Sequence, residues 1–247
     1  MNKKTILITG GSSGIGSSIV TKFAKNNYNI IFTYFNHEKK AFNLKEKIEE
    51  DYNVSCTCIK CDVTNEKDID NLYNIVIDKF KNIDVLVNNA AIAIDNLFDN
   101  KTKEDFIKTL DTNLVSVFLI SRLFGNLMYK NKSGKIINIS SNNGIDSYYE
   151  FSLEYDASKA GLINLTHNLA HHFSPYINVN CVCPGWVNTP MNETLSEEFK
   201  KKETDKILLK RFASPDEIAD LVYYLSSNEA SYINDSIIKI DGGINRE

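Results

Sequence analysis

The pattern that most limits what this chain can become is an alternation running along its whole length. Short apolar, β-branched runs at 5–9, 29–33, 54–61, 83–87, 135–140, 178–183 and 236–240 are separated by longer segments of helical period. Those segments fall near 15–26, 37–51, 66–80, 103–129, 154–173 and 215–225. Strands alternating with helices imply parallel pairing through helical crossovers, and right-handed crossovers place the helices on both faces of one sheet. The expectation is a single α/β domain over 1–247, a doubly wound parallel sheet. No repeat, low-complexity tract or linker divides it. The segment 191–210 breaks the alternation. It is polar, helix-prone and follows a Pro-Gly turn, so it reads either as a lid over a site or as a surface excursion.

Composition removes several classes of function. Hydrophobic residues make up 43% and charged residues 24% of the chain, as in a soluble globular protein. A net charge of −4 advertises no nucleic-acid surface. No apolar run reaches the roughly 18 residues a membrane span needs, and the N-terminus leads straight into a strand. A cytoplasmic protein with no membrane contact is expected. Cys56, Cys58 and Cys61 cluster in one strand-like run, and Cys181 and Cys183 in another, with no His at zinc-ligand spacing. They read as reduced core thiols, and no metal site is expected. The chain holds 30 Asn, which lowers the weight of any single one.

The first strand runs into Gly10-Gly11-Ser12-Ser13-Gly14-Ile15-Gly16 and then a helix. Glycines there let the backbone turn tightly and approach a pyrophosphate seated at the positive end of the helix. About 20 residues on, NAD-binding folds carry an acid for the ribose hydroxyls. Here the second strand ends Thr33-Tyr34-Phe35-Asn36-His37, with no acid before Glu38. His37, Lys39 and Lys40, with the hydroxyls of Ser12 and Ser13, offer partners for a 2′-phosphate instead, although the lysines are equally the exposed start of a helix. NADP(H) is the preferred cofactor on this reading. Asp62, before Val63, offers a carboxylate to an adenine amino group. Asn88-Asn89-Ala90-Ala91 ends the fourth strand with side chains small enough for close approach of a ligand.

Tyr155 and Lys159 lie four residues apart in a helical segment and so share a face. An ammonium near a phenol favours the phenolate, and the expectation is a Tyr155 pKa lowered by Lys159 and suited to acid–base work on a carbonyl or alcohol. Ser141, at the end of the fifth strand, could hold the substrate oxygen beside that phenol, or simply cap a turn. Ser-His-Asp chemistry at Ser141 is disfavoured, because no Gly-x-Ser-x-Gly elbow is present and His171 and His172 lie at the far end of a helix.

Taken together, Thr9 through Gly16, Asn88-Asn89-Ala90, Asn113, Ser141, Tyr155-x-x-x-Lys159, Pro184-Gly185 and Asp241-Gly242-Gly243 resemble the short-chain dehydrogenase/reductase family. The resemblance implies a Rossmann fold with a seven-stranded sheet and hydride transfer to or from a nicotinamide. It implies Tyr155 as the acid/base, Lys159 as its pKa-lowering partner on the nicotinamide ribose, and Ser141 as the group polarising the substrate oxygen. Asn113 would support a proton relay. Asn89 and Ala90 would line the cofactor, with Thr189 and the Val187 backbone at the carboxamide. A homotetramer formed through the two long helices 103–129 and 154–173 is implied as well. Within the family the nearest pattern is that of the 3-oxoacyl-[acyl-carrier-protein] reductases, through Lys210-Arg211-Phe212 and Pro215-x-Glu217-Ile218-Ala219. Ala91 and Asn234-Asp235 depart from the usual family residues. The expected activity is interconversion of a ketone and a secondary alcohol, the substrate being carried on an acyl carrier protein or being a sugar, steroid or pathway intermediate. A nucleotide sensor without chemistry is the alternative from another class.

Overall fold

The structure is a computed structural model that describes residues 3–146, 149–193 and 195–244. Seven strands form one parallel sheet in the order β3-β2-β1-β4-β5-β6-β7. They are β1 (Thr5–Ile8), β2 (Asn29–Tyr34), β3 (Cys56–Lys60), β4 (Val85–Asn88), β5 (Gly134–Ile139), β6 (Ile177–Pro184) and β7 (Ile237–Ile240). The helices are α1 (Gly14–Lys25), α2 (Glu38–Asp51), α3 (Glu66–Phe80), α4 (Lys103–Leu110), α5 (Ser116–Lys130), α6 (Leu153–Phe173), α7 (Glu197–Lys206) and α8 (Pro215–Ser226). This is the doubly wound Rossmann arrangement, and the strand order reverses between β1 and β4.

The strands read as near-continuous apolar runs because both faces of the sheet are covered. Ile6 and Ile8 of β1, with Ile30, Phe32, Val85 and Val87, point into the layer under α1 and α8. Leu7, Ile31, Leu86 and Ile136 point the other way, toward α3, α5 and α6. The period of two along each strand thus feeds two cores at once. Within the second layer runs a thread of buried amides. Asn88 donates to Ser121 (3.0 Å) and to Asn138 (2.8 Å), and Asn138 donates to Thr166 (3.0 Å), tying β4, β5, α5 and α6 together. Polar groups at this depth are tolerated because most find a partner there; the Asn88 side-chain oxygen is the member of the thread that does not.

The expected helix 103–129 is interrupted. Between α4 and α5 the residues Asp111–Val115 form a π-turn, closed by a bond from the Ser116 N–H to the Asp111 carbonyl. Periodicity does not register such a turn, because it inserts one residue without ending the apolar stripe. Asp235, where the family pattern has Gly, sits at φ 56°. Its N–H bonds the Val179 carbonyl (2.9 Å), and an acidic side chain tolerates this left-handed backbone better than a branched one. All five cysteines are free thiols, and only Cys58 is not fully buried.

Candidate active site

The carboxyl ends of the strands open onto a cavity of about 710 Å³ that runs from the glycine loop to Tyr155. Its first half is built around Thr9. The Thr9 hydroxyl accepts from the N–H groups of Asn89 and Ala90 (both 3.0 Å). The Asn89 amide returns two bonds, to the carbonyls of Thr9 (2.9 Å) and Gly10 (3.0 Å). Asn89 therefore fastens the glycine loop to the end of β4 as well as lining the cavity. Gly10 sits at φ 65° and donates its N–H to the Thr33 hydroxyl (3.1 Å). A Cβ on Gly16 would fall 2.3 Å from the Gly10 carbonyl, so the helix can begin this close to the loop only with glycine there.

The start of α1 is left open. Ser13 makes no capping bond with its side chain and the first turn holds no acid, whereas α3, α4, α7 and α8 are capped by Asn65, Thr102, Ser196 and Ser214. Unsatisfied N–H groups at a helix start, facing a cavity, suit a pyrophosphate. Ser12, Ser13, Gly14, Ile15, Tyr34, Asp62 and Val63 all line this half. The Asp62 carboxylate accepts from the Thr64 hydroxyl (2.7 Å) and N–H (3.0 Å), which fixes its direction. His37 also lines it, but Lys39 and Lys40 do not; they lie on the exposed side of α2. The Tyr34 hydroxyl donates to Glu38 (3.2 Å). Lys108 and Thr112 border the cavity too and had not been singled out from sequence. Their one sequence signal is proximity to Asn113, within about a turn and a half of helix.

The second half brings Ser141, Tyr155 and Lys159 together against Pro184, Gly185, Val187 and Thr189. Gly185 lets β6 and β7 close up beneath the cavity: its N–H bonds the Ile240 carbonyl (3.1 Å), and a Cβ there would lie 2.8 Å from that of Asp241. The Lys159 ammonium donates to the Ile139 carbonyl (2.8 Å) and stands 5.4 Å from the centre of the Tyr155 ring. Ser140 ties the next layer by donating to the Lys159 carbonyl (2.8 Å). Asn113 lies in the π-turn, where its side chain accepts from the Ile92 N–H (2.9 Å) and donates to the Ile92 carbonyl (2.9 Å) and to Ser158 (3.0 Å). Asn113 thus sits at the point where the expected 103–129 helix is interrupted. Its amide is spent on anchoring the loop after β4 to α6.

One expectation about charge is reversed. Burial pushes the Tyr155 phenol up to about 12, and the facing Ser141 hydroxyl only partly pulls it back. Burial also pushes Lys159 itself down to about 8, with Cys181 and Cys183 opposing. Loss of solvation outweighs the pairing read from the four-residue spacing. Near neutral pH the phenol thus carries its proton and the lysine is mostly charged.

The sequence profile of a family described as enoyl-(acyl carrier protein) reductase matches residues 10–245. A 3-oxoacyl-[acyl-carrier-protein] reductase of Aquifex aeolicus is 36% identical over 242 residues, covering 98% of this chain and 97% of that protein. The chain belongs to the short-chain dehydrogenase/reductase family. Another relative is the 3-oxoacyl-[acyl-carrier-protein] reductase of Thermotoga maritima, 35% identical over 98% of this chain and 97% of its own length. Among solved structures, an actinorhodin polyketide ketoreductase with NADPH superposes with a TM-score of 0.92 at 27% identity, covering 99% of this chain and 98% of that one. As a short-chain dehydrogenase/reductase the protein is a nicotinamide-dependent oxidoreductase of the CH–OH/C=O class. The cavity fits such a cofactor on its own evidence: an uncapped helix start, a glycine cradle and a long open cleft.

The depressed Lys159 pKa has a consequence for stability. The unfolded chain keeps this proton up to the ordinary lysine value of 10.5, while the folded chain releases it near 8. Between those values the unfolded state binds more protons, so stability rises with pH; below 8 the buried charge is a standing cost. From pH 7 to pH 10 this group is expected to contribute a gain of roughly 2–3 kcal/mol. Urea titrations should show that gain in the wild type and not in Lys159→Met, and parallel curves would remove the buried charge from this account.

Proposed function

We propose that this short-chain dehydrogenase/reductase reduces the 3-oxo group of an acyl thioester, carried on an acyl carrier protein, with NADPH as the preferred cofactor. The observation carrying this reading is the convergence of a protonated phenol, a serine hydroxyl and a buried ammonium at one end of a cleft whose other end suits a dinucleotide. When bound, the cofactor supplies the hydride. The Ser141 hydroxyl donates to the substrate carbonyl and orients it. The Tyr155 phenol gives its proton to the same oxygen, so that a ketone leaves as an alcohol. The Lys159 ammonium sits where it stabilises the phenolate that results. Asn113 supports these groups by fixing the loop at Ile92.

Several features favour NADPH. His37 and the Ser12 and Ser13 hydroxyls line the adenosine side, and Glu38, the acid that follows His37, accepts from the Tyr34 hydroxyl. The ketoreductase with the same fold was solved with NADPH. The acyl thioester follows from the reductases that match over nearly the full chain. A sugar, steroid or other ketone is the second reading.

The segment 191–210, in which Thr194 lies outside the described residues, serves as the lid. Its helix α7 is held by Phe199 against Trp186 (5.6 Å between ring centres) and by a bond from the Trp186 indole to Glu203 (3.2 Å). The outer faces of α5 and α6 leave Phe118 exposed beside Arg122, Leu165 and His172, which supports a homotetramer. Among the described residues no helix is long and apolar enough to cross a membrane.

Purified protein with NADPH and an acetoacetyl thioester should lose nicotinamide absorbance, and more slowly with NADH. Tyr155→Phe should cut kcat by about 10²–10⁴-fold while NADPH fluorescence still reports binding; retained turnover would strip Tyr155 of its role. Tighter NADH binding would reverse the cofactor assignment. Trp186 is the only tryptophan, so its emission should change when substrate joins the NADPH complex. Constant emission would leave α7 a fixed surface helix. Light scattering should give about four times the 28.0 kDa chain mass, and a monomer would refute the assembly.

A further inference from the structure

Tyr155 stands between two carboxylates in sequence, and each reaches a different loop leaving the cavity, one after Ile92 and one after Ser141. Glu154 is fully buried and pairs with Lys101 at 2.7 Å, with side chains 0% and 5% exposed. The same ammonium also donates to the Ile94 carbonyl. Asp156, on the other side, accepts from the Asn143 amide (2.7 Å) and the Tyr149 N–H (2.8 Å). The loop leaving the cavity at Ile92 is therefore held at Ile92 by Asn113 and at Ile94 by Lys101. It is held again where Asp95 meets the Ser152 hydroxyl and where the Asn96 N–H meets the Phe151 carbonyl. The loop leaving at Ser141 is held at Asn143 and Tyr149.

An ion pair buried this deeply loses in desolvation most of what its attraction returns, so an apolar pair of similar volume would serve stability as well. An apolar pair could not aim a donor at the Ile94 carbonyl. The partners are 53 residues apart in sequence, and the acid directly precedes the phenol-bearing residue. Both loops are thus indexed to the helical turn of Tyr155 and not only to the sheet.

We propose that Glu154 with Lys101, and Asp156, are positioning residues that lock the two substrate-facing loops onto that turn, so that cleft walls and proton donor hold one geometry. This deepens the proposed reduction, and its activity arm rests on that reading. The test compares wild type with Lys101→Met/Glu154→Leu and with Asp156→Ala. The double change is used because Glu154→Leu alone strands a buried ammonium and endangers the fold. Backbone hydrogen exchange should quicken about tenfold or more across 94–100 in the double variant and at Tyr149 in Asp156→Ala, with 10–25 unchanged in both. KM for the acetoacetyl thioester should rise about tenfold while kcat changes less than about threefold and NADPH affinity holds. Unchanged exchange in both loops overturns the proposal. So does a fall in melting temperature with kcat and NADPH affinity dropping together, which marks a merely structural role. If the wild type turns over no 3-oxoacyl thioester, the substrate reading fails, and the exchange data alone decide the clamp.

Discussion

Lys159 carries its charge into the interior, and a buried ammonium has to be met by oxygen. With 2% of its surface exposed, it reaches the Ile139 carbonyl at the end of β5, which fixes the approach of α6 to the sheet. The loop that follows β5 then runs so near the helix that a Cβ on Gly144 would lie 2.6 Å from the Lys159 carbonyl carbon. Ser141 lands opposite the phenol as a result, with Tyr155 half-buried at the border of the cavity. The raised Tyr155 and lowered Lys159 pKa values therefore follow from one packing decision.

How legible this was depended on the kind of interaction involved. The sheet could be read because runs such as Ile6-Leu7-Ile8 and Ile30-Ile31-Phe32 must bury both faces, and few architectures allow that. The glycine loop could be read because close approach leaves a residue type behind, as at Gly16. The π-turn could not, since it is a change of hydrogen-bond register within an unbroken apolar stripe. Asn113 looked like one Asn among many until its bonds to Ile92 gave it a place. The sign of the Tyr155 shift depended on burial, which a spacing of four residues does not report. Lys101 and Glu154 were invisible as a pair because their meeting is a product of the fold.

The two ends of the cavity use opposite strategies with charge. At the start of α1 the helix is left uncapped and without acid, so a positive end waits for an anion. Around Tyr155 the supporting groups are buried and bonded instead, the Lys159 ammonium to the Ile139 carbonyl and the Asn113 amide to Ile92. Thr9 and Asn89 join these regimes, because their mutual bonds link the glycine loop to the strand that leads to Ile92.

The floor of the second half is made where Gly185 meets Asp241 and bonds Ile240. These partners lie on strands separated by α7 and α8, so during synthesis on the ribosome β6 emerges well before the strand that completes its edge. Until β7 docks, β6 presents an open, apolar ladder to other nascent chains. Assembly of this end of the cavity is therefore a late, long-range event in folding, and the interval before it is when the chain is most open to aggregation.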